Sequence, residues 1–405
     1  MAPTAPHESS GDLQRIAETI VVAGPPGAHL SVAIVDGPRW DACHGHAQMF
    51  DDAGPRDVAL TPGHAHDLGS VTKIAGTTAM LVALASAAAL SVDDPVERHL
   101  PGMPEPLAGA TLRDLLTHRA GLWEWWPTYL GVPGGVAAHG RRIAAGGDPL
   151  GIVAALPLRY PPRSGRHYSD LGFMLLGRIV ETVTGQSIPA AHAELVGHHV
   201  GTAELTYAAP PPGRPAVASA TGDRIEREMV RTGTPYPVRV ADGVVEGFGW
   251  RTHVEVGEVN DGNAFHSFAG TAGHAGLFGT ADGLHALGAA WVGALGGDGS
   301  WPALREFCVQ GPDPGQLLGF RAWNQRVDGC TAQAIGHTGF PGIGFAVLPG
   351  HSASVVLATN RLHVRGKAAD FDPLWQRALA AAHHALHESG APTLPIADQP
   401  PQGSS

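Results

Sequence analysis

The run Ile74 to Leu90, rich in Ala, Leu and Met, constrains this chain more than any other stretch. It is helical by propensity, and a helix this apolar has to be buried, so the remaining elements must be built around it. Small and polar residues interrupt it, which fits a core helix better than a membrane span. Directly before it stands His66-Asp67-Leu68-Gly69-Ser70-Val71-Thr72-Lys73, which places Ser70 at the mouth of the helix and Lys73 about one turn on, along the same face. A lysine between apolar walls loses proton affinity by desolvation and can act as a base toward the Ser70 hydroxyl, while the positive helix end favours a developing alkoxide. The chain has only two lysines, Lys73 and Lys367, and otherwise carries positive charge on arginine, so a lysine here is not background. The plainer alternative is an N-cap serine beside an ordinary surface lysine.

A chain of 405 residues can build a large core and two lobes. The formal charge of −11, with no basic stripe, argues against a nucleic-acid partner. The polar start, Met1 to Asp12, lacks the basic and apolar segments of a signal peptide, so a cytosolic protein with no membrane partner is expected. Cys43, Cys308 and Cys330 are odd in number and unpaired in spacing, and read as reduced thiols. The pairs His44/His46, His64/His66, His198/His199 and His383/His384 lack a third ligand at a recognisable spacing, which favours a structural role over metal binding.

Along the chain, residues 12–24 read as an amphipathic helix, and His29 to Asp36 and Arg39 to Met49 as strands. A short helix over Thr111 to His118 stops at Gly121, and Trp123, Trp125 and Trp126 follow as core packing or as an aromatic wall. Another apolar helix spans Leu171 to Val183, and residues 208–262, rich in Pro and Gly without clean periodicity, read as a long excursion capping one side of a cleft. A bend over Gly270 to Gly279 contains His274 and leads into a helix from Ala281 to Leu295. Strands return at Thr331–Gly336, Ile343–Leu348 and Ser354–Ala358, and a last helix covers Pro373 to His387. The simplest assembly returns the late strands to the early sheet. It predicts an α/β lobe from residues 1–66 and 268–388, a mostly helical lobe from 67–267, a disordered tail over 389–405, and a site between the lobes.

Two further segments bear on that site. Tyr168-Ser169-Asp170 follows a Pro-Pro turn and opens a helix, so the Tyr168 phenol can exchange a proton with Ser70 or a leaving group, and Asp170 can hold Lys73 protonated or orient an incoming donor. His337-Thr338-Gly339-Phe340 ends a strand, where an exposed edge can lay backbone along a substrate and the amides of Phe340 and Ser70 can form an oxyanion hole. In this order and spacing the three elements resemble the serine-active penicillin-recognising family: class C β-lactamases, DD-peptidases and their esterase and transacylase relatives. Leu90–Val96, Leu115–Leu122, Leu175–Glu181 and Ala272–Phe278 also look like family signatures, so the resemblance spans roughly residues 12–388.

The resemblance implies a β-lactamase-like α/β fold, an antiparallel sheet flanked by helices plus an all-helical lobe. It implies Ser70 as nucleophile, Lys73 as its base partner, Tyr168 as shared acid and base, and Asp170, His337, Thr338, Gly339 and Phe340 on the substrate side, with no metal or organic cofactor. Two departures matter. The tyrosine motif ends in Asp170 where the family usually has asparagine, and the third motif begins with His337 where lysine is common. Both point away from a β-lactamase and toward a cytosolic esterase or transacylase that moves an acyl group from a small-molecule ester or amide to water, an amine or an alcohol. Family members serve natural-product pathways in this way. The alternatives are a DD-carboxypeptidase or β-lactamase and a catalytically silent ligand-binding relative.

Overall fold

In the computed structural model, which describes residues 7–130, 148–238, 240, 242–327 and 330–390, strand β1 (Gly27–Ile34) shows how the molecule is layered. Its Ala28, Leu30 and Val32 enter a core with Leu13, Ala17 and Ile20 of the His7–Val22 helix and Trp375, Ala378 and Leu379 of the Phe371–Glu388 helix. The residues between them face the other way, as strand alternation demands, and there Ser31 Oγ lies 2.7 Å from His285 Nε2 of the Ala281–Gly296 helix.

Two more early strands follow, β2 (Arg39–Asp51) and β3 (Gly54–Ala59), then five short ones, β4 (His66–Asp67), β5 (Leu205–Tyr207), β6 (Ala218–Thr221), β7 (Val254–Val256) and β8 (Leu277–Gly279). The late strands are β9 (Arg321–Val327), β10 (Cys330–Gly339), β11 (Ile343–Leu348) and β12 (Ala353–Thr359). Early and late strands form one seven-stranded antiparallel sheet in the order β3-β2-β1-β12-β11-β10-β9, with Leu30 opposite Leu357 where the chain returns. This is the expected β-lactamase-like sheet with flanking helices. The expectation missed both edges: β3 is mostly exposed, with Arg56 and Asp57 on it, and β9 carries Arg321 and Arg326, so neither has the apolar alternation that marks a strand.

The middle of the chain packs on the inner face of the sheet, and one continuous core joins Ile74, Leu81, Leu115, Phe173 and Leu176 to Phe345, Val347 and Val356. β8 pairs with both β4 and β5, so the bend before it lies against the residues that lead into Ser70. The 208–262 segment is more regular than its sequence indicates: β6 pairs with β7, and helices span Arg224–Thr232 and Asp242–Gly247. Ser389 and Gly390 end the last helix, and the tail expected to be disordered lies, from residue 391, outside the described residues. No helix among the described residues is long and apolar enough to cross a membrane.

Candidate active site

The element carrying Ser70 differs from a simple helix mouth. Gly69–Val71 is a 3₁₀ turn, Lys73–Thr78 a π-helical turn, and a regular α-helix begins only at Ala79 and ends at Ser86. Such π turns are rare and recur where side chains are re-aimed for function. Ser70 is therefore not an N-cap. Gly69 takes a left-handed conformation (φ +50°), and a Cβ there would meet Pro341 Cδ at 2.5 Å. Asp67 fixes the turn by accepting from the Gly69 amide at 2.8 Å through Oδ1 and from the Asn260 amide at 2.6 Å through Oδ2.

Lys73 is fully buried and its ammonium meets three acceptors: Ser70 Oγ at 2.8 Å, Asp170 Oδ1 at 2.7 Å and the His274 carbonyl at 3.3 Å. Burial works against its charge, but the Asp170 carboxylate, then Tyr168, outweighs that penalty and raises its proton affinity above the ordinary lysine value. The expectation that apolar walls would depress Lys73 is thus reversed, because the walls include an anion at contact distance. Asp170 opens the Asp170–Thr184 helix, capped by Ser169 Oγ on the Gly172 amide at 3.3 Å.

Tyr168 lies between two imidazoles, its ring 4.6 Å from that of His118 and 5.8 Å from that of His337, with Lys73 Nζ 5.0 Å from its centroid. Both histidines are neutral at pH 7. Burial, followed by the charge of Lys73, pushes His337 down to about 3; burial, Arg166 and Lys73 hold His118 well below the usual histidine range. His337 Nδ1–H donates to the Thr338 carbonyl at 2.6 Å, leaving a buried Nε2 without a partner, and His118 Nδ1 accepts from the Ser169 amide at 3.0 Å.

β9 pairs with β10 only as far as Arg321 opposite Gly336, so residues 337–339 run beyond its end and offer the strand edge the sequence led one to expect. Gly339 permits a close approach to the Ser70 turn: a Cβ there would lie 2.2 Å from the Leu68 carbonyl and 3.4 Å from the Ser70 amide. Likewise, a Cβ on Gly69 would lie 3.2 Å from the Phe340 amide. The two amides flank Ser70, an arrangement that can hold an oxyanion. Thr338 is half-buried, and the Phe340 side chain is exposed, with Arg361 over its ring at 5.0 Å and donating to its carbonyl at 3.0 Å.

Ser70, Lys73, Tyr168, Asp170 and the His337–Phe340 stretch thus converge. Sequence reasoning gave no site role to His118, Asp67, Asp261 or Tyr236, and none to the His274 carbonyl. His118 and His274 stand inside quoted signature segments, which was the available signal. Tyr236 comes from the excursion, stacks on Trp125 at 6.1 Å, and is pushed up to about 12 by burial and then by Asp170 and Tyr168, which it faces. Trp125 and Trp126 are buried in the core, while Trp123 is half-buried and donates to the Pro157 carbonyl at 2.9 Å. Among the described residues the one His/Cys/Asp/Glu group close enough to share an ion is Asp12, His384 and Glu388, at the surface on the two helices covering the sheet's other face.

Known proteins share this architecture. A putative D-alanyl-D-alanine carboxypeptidase of Escherichia coli O157:H7 is 28% identical over 364 residues, covering 85% of this chain and 80% of its own. An N-acetylmuramyl-L-alanine amidase of Bacillus subtilis (strain 168) is 27% identical over 377 residues, covering 87% and 80%. The structure of D-amino acid amidase from Ochrobactrum anthropi SV3 superposes with a TM-score of 0.65 at 17% identity, covering 94% of this chain and 99% of that one. The Beta-lactamase family model matches residues 15–379, a span holding the Ser70 turn, the Tyr168 segment and the β10 edge together, and the chain belongs to that family of serine enzymes.

Proposed function

We propose that Ser70 takes an acyl group from a small-molecule ester or amide and passes it to water or to an amine or alcohol. The observation that carries this reading is Ser70 Oγ held 2.8 Å from a buried Lys73 that also meets Asp170, a backbone carbonyl and the face of Tyr168. With Lys73 charged and donating to Ser70, the step calls for Tyr168 as a phenolate beside that ammonium: it takes the Ser70 proton as Oγ attacks, and the phenol so formed gives that proton to the leaving alcohol or amine. The ammonium stabilises the negative charge that builds during attack, and the amides of Ser70 and Phe340 receive the carbonyl oxygen. Asp170 is occupied by Lys73 and, as an anion, can only accept, so it is poorly suited to grip a side-chain amide of a β-lactam.

Intact-protein mass spectrometry after exposure to activated esters, a fluorophosphonate and a penicillin tests the reading. The expected result is a Ser70 adduct from the esters and the fluorophosphonate that is absent in Ser70→Ala, with turnover down on the order of 10³-fold or more in that variant. No adduct from any probe, or activity unchanged in Ser70→Ala, leaves a ligand-binding protein. Product analysis of one ester with and without added amine separates hydrolysis, which gives acid alone, from transacylation. A second reading, cleavage of peptide-like amides, draws on the names of the two curated relatives; labelling by penicillin would favour it.

A further inference from the structure

We propose that Asp261 and His274 form a couple that positions Lys73 from behind, holding the backbone carbonyl that is the third acceptor of its ammonium. This rests on the reading of Ser70 and Lys73 as the catalytic pair. Two of the three acceptors, Ser70 and Asp170, are side chains facing the cleft; the third is main chain, and its place depends on what grips the bend around it. Thr77 Oγ1 donates to the Gly273 carbonyl at 2.7 Å, the Leu277 amide donates to Thr72 Oγ1 at 3.1 Å, and a Cβ on Gly273 would lie 2.0 Å from the Phe173 carbonyl. Backbone bonds such as that of the Ala208 amide to the Gly276 carbonyl add to this, and the hold on residue 274 itself is its ring, 1% exposed, with Nε2 2.9 Å from Asp261 Oδ1.

The neighbouring residue makes the arrangement reciprocal. The Asn260 amide donates to Asp67, which in turn accepts from the Gly69 amide next to Ser70. Consecutive residues of the excursion therefore hold the serine end and the lysine end of the pair. Asp261 is the ionised member of its surroundings. Despite burial it is pushed down to about 2, by His274 first and with a contribution from Lys73, while burial and the charge of Asp261 push neighbouring Glu226 up to about 8. The other groups facing Lys73 are Asp170, Tyr168, Tyr236 and the neutral His118 and His337.

Asp261 also caps the Gly262–Phe268 helix through the Ala264 amide at 2.8 Å, so the test must separate capping from positioning. Asp261→Ser keeps a cap but falls short of His274; Asp261→Asn keeps cap and contact but removes the charge. The fluorophosphonate labelling rate of Ser70 is measured near neutral pH for wild type, both variants, His274→Ala and His274→Gln, with thermal unfolding alongside. Expected are losses on the order of 10-fold or more in Asp261→Ser and His274→Ala at little changed melting temperature, and partial recovery in His274→Gln. Asp261→Asn, which keeps the contact, should stay within a few-fold of wild type. Unchanged rates, or a loss that tracks melting temperature with no recovery in His274→Gln, would overturn the proposal. A wild-type chain left unlabelled would instead overturn the reading of Ser70, and this inference with it.

Discussion

Lys73 illustrates how one neighbour decides the sign of an electrostatic effect. In an apolar cavity its ammonium would be costly; beside Asp170 at 2.7 Å it is the favoured form. Asp170→Asn should therefore lower the proton affinity of Lys73 by about 1–3 pH units, and the Lys73 limb of the Ser70 acylation profile should move to lower pH by that amount. A stopped-flow or mass-spectrometric pH–rate profile checks this, and a limb that stays in place would mean that Asp170 is not what charges the lysine. The identity of both residues was legible in the sequence, where Ser70-Val71-Thr72-Lys73 and Tyr168-Ser169-Asp170 stand out. Their mutual charge state was legible only as one of two alternatives, Asp170 holding Lys73 protonated or orienting a donor, because the choice depends on a contact between residues 97 positions apart, and no local pattern encodes that distance.

At the level of elements, the site exists because the Ser70 turn and the end of β10 touch backbone to backbone. Gly69 and Gly339 permit it, and at Gly339 the obstructing atom is a main-chain carbonyl that cannot swing aside. Gly339→Ala should force the two elements apart and separate the Ser70 and Phe340 amides. The expected cost is on the order of 10²-fold in Ser70 acylation and about 1–3 kcal/mol in stability, read by labelling kinetics and urea denaturation. Near-normal acylation in a folded Gly339→Ala protein would count against the oxyanion assignment. The buried strands β1, β11 and β12 were legible because their residues must satisfy a core. The π-helical turn at Lys73–Thr78 was not, since its apolar residues read the same in a regular helix.

Across the whole molecule, the 208–262 excursion is held by buried polar and charged contacts, within itself and to its neighbours, and this is why its sequence shows no periodicity. Arg251 reaches Asp223 at 2.7 Å and Glu255 at 3.3 Å, His266 meets Asp223 at 2.9 Å, and Tyr129 donates to Glu226 at 2.5 Å. Burial raises three carboxyls of this region, Asp67 to about 6, Glu255 to about 7 and Glu226 to about 8. Each binds its proton more tightly folded than unfolded, so the stability it contributes is complete below the ordinary carboxyl range near pH 4 and is lost as pH rises through 6 to 8. Buried histidines with lowered proton affinity, among them His66, His118, His285 and His337, act oppositely over the same range, because unfolding lets them take up protons below about pH 6.5, so the carboxyls are read from the difference between variant and wild type. Glu255→Gln, which cannot ionise, should gain on wild type by on the order of 1 kcal/mol, or about 2 °C, between pH 6 and pH 8 in calorimetric scans. A difference that stays constant over that range would show that Glu255 is already ionised and paired in the folded protein. High salt rather than rising pH should then loosen the excursion.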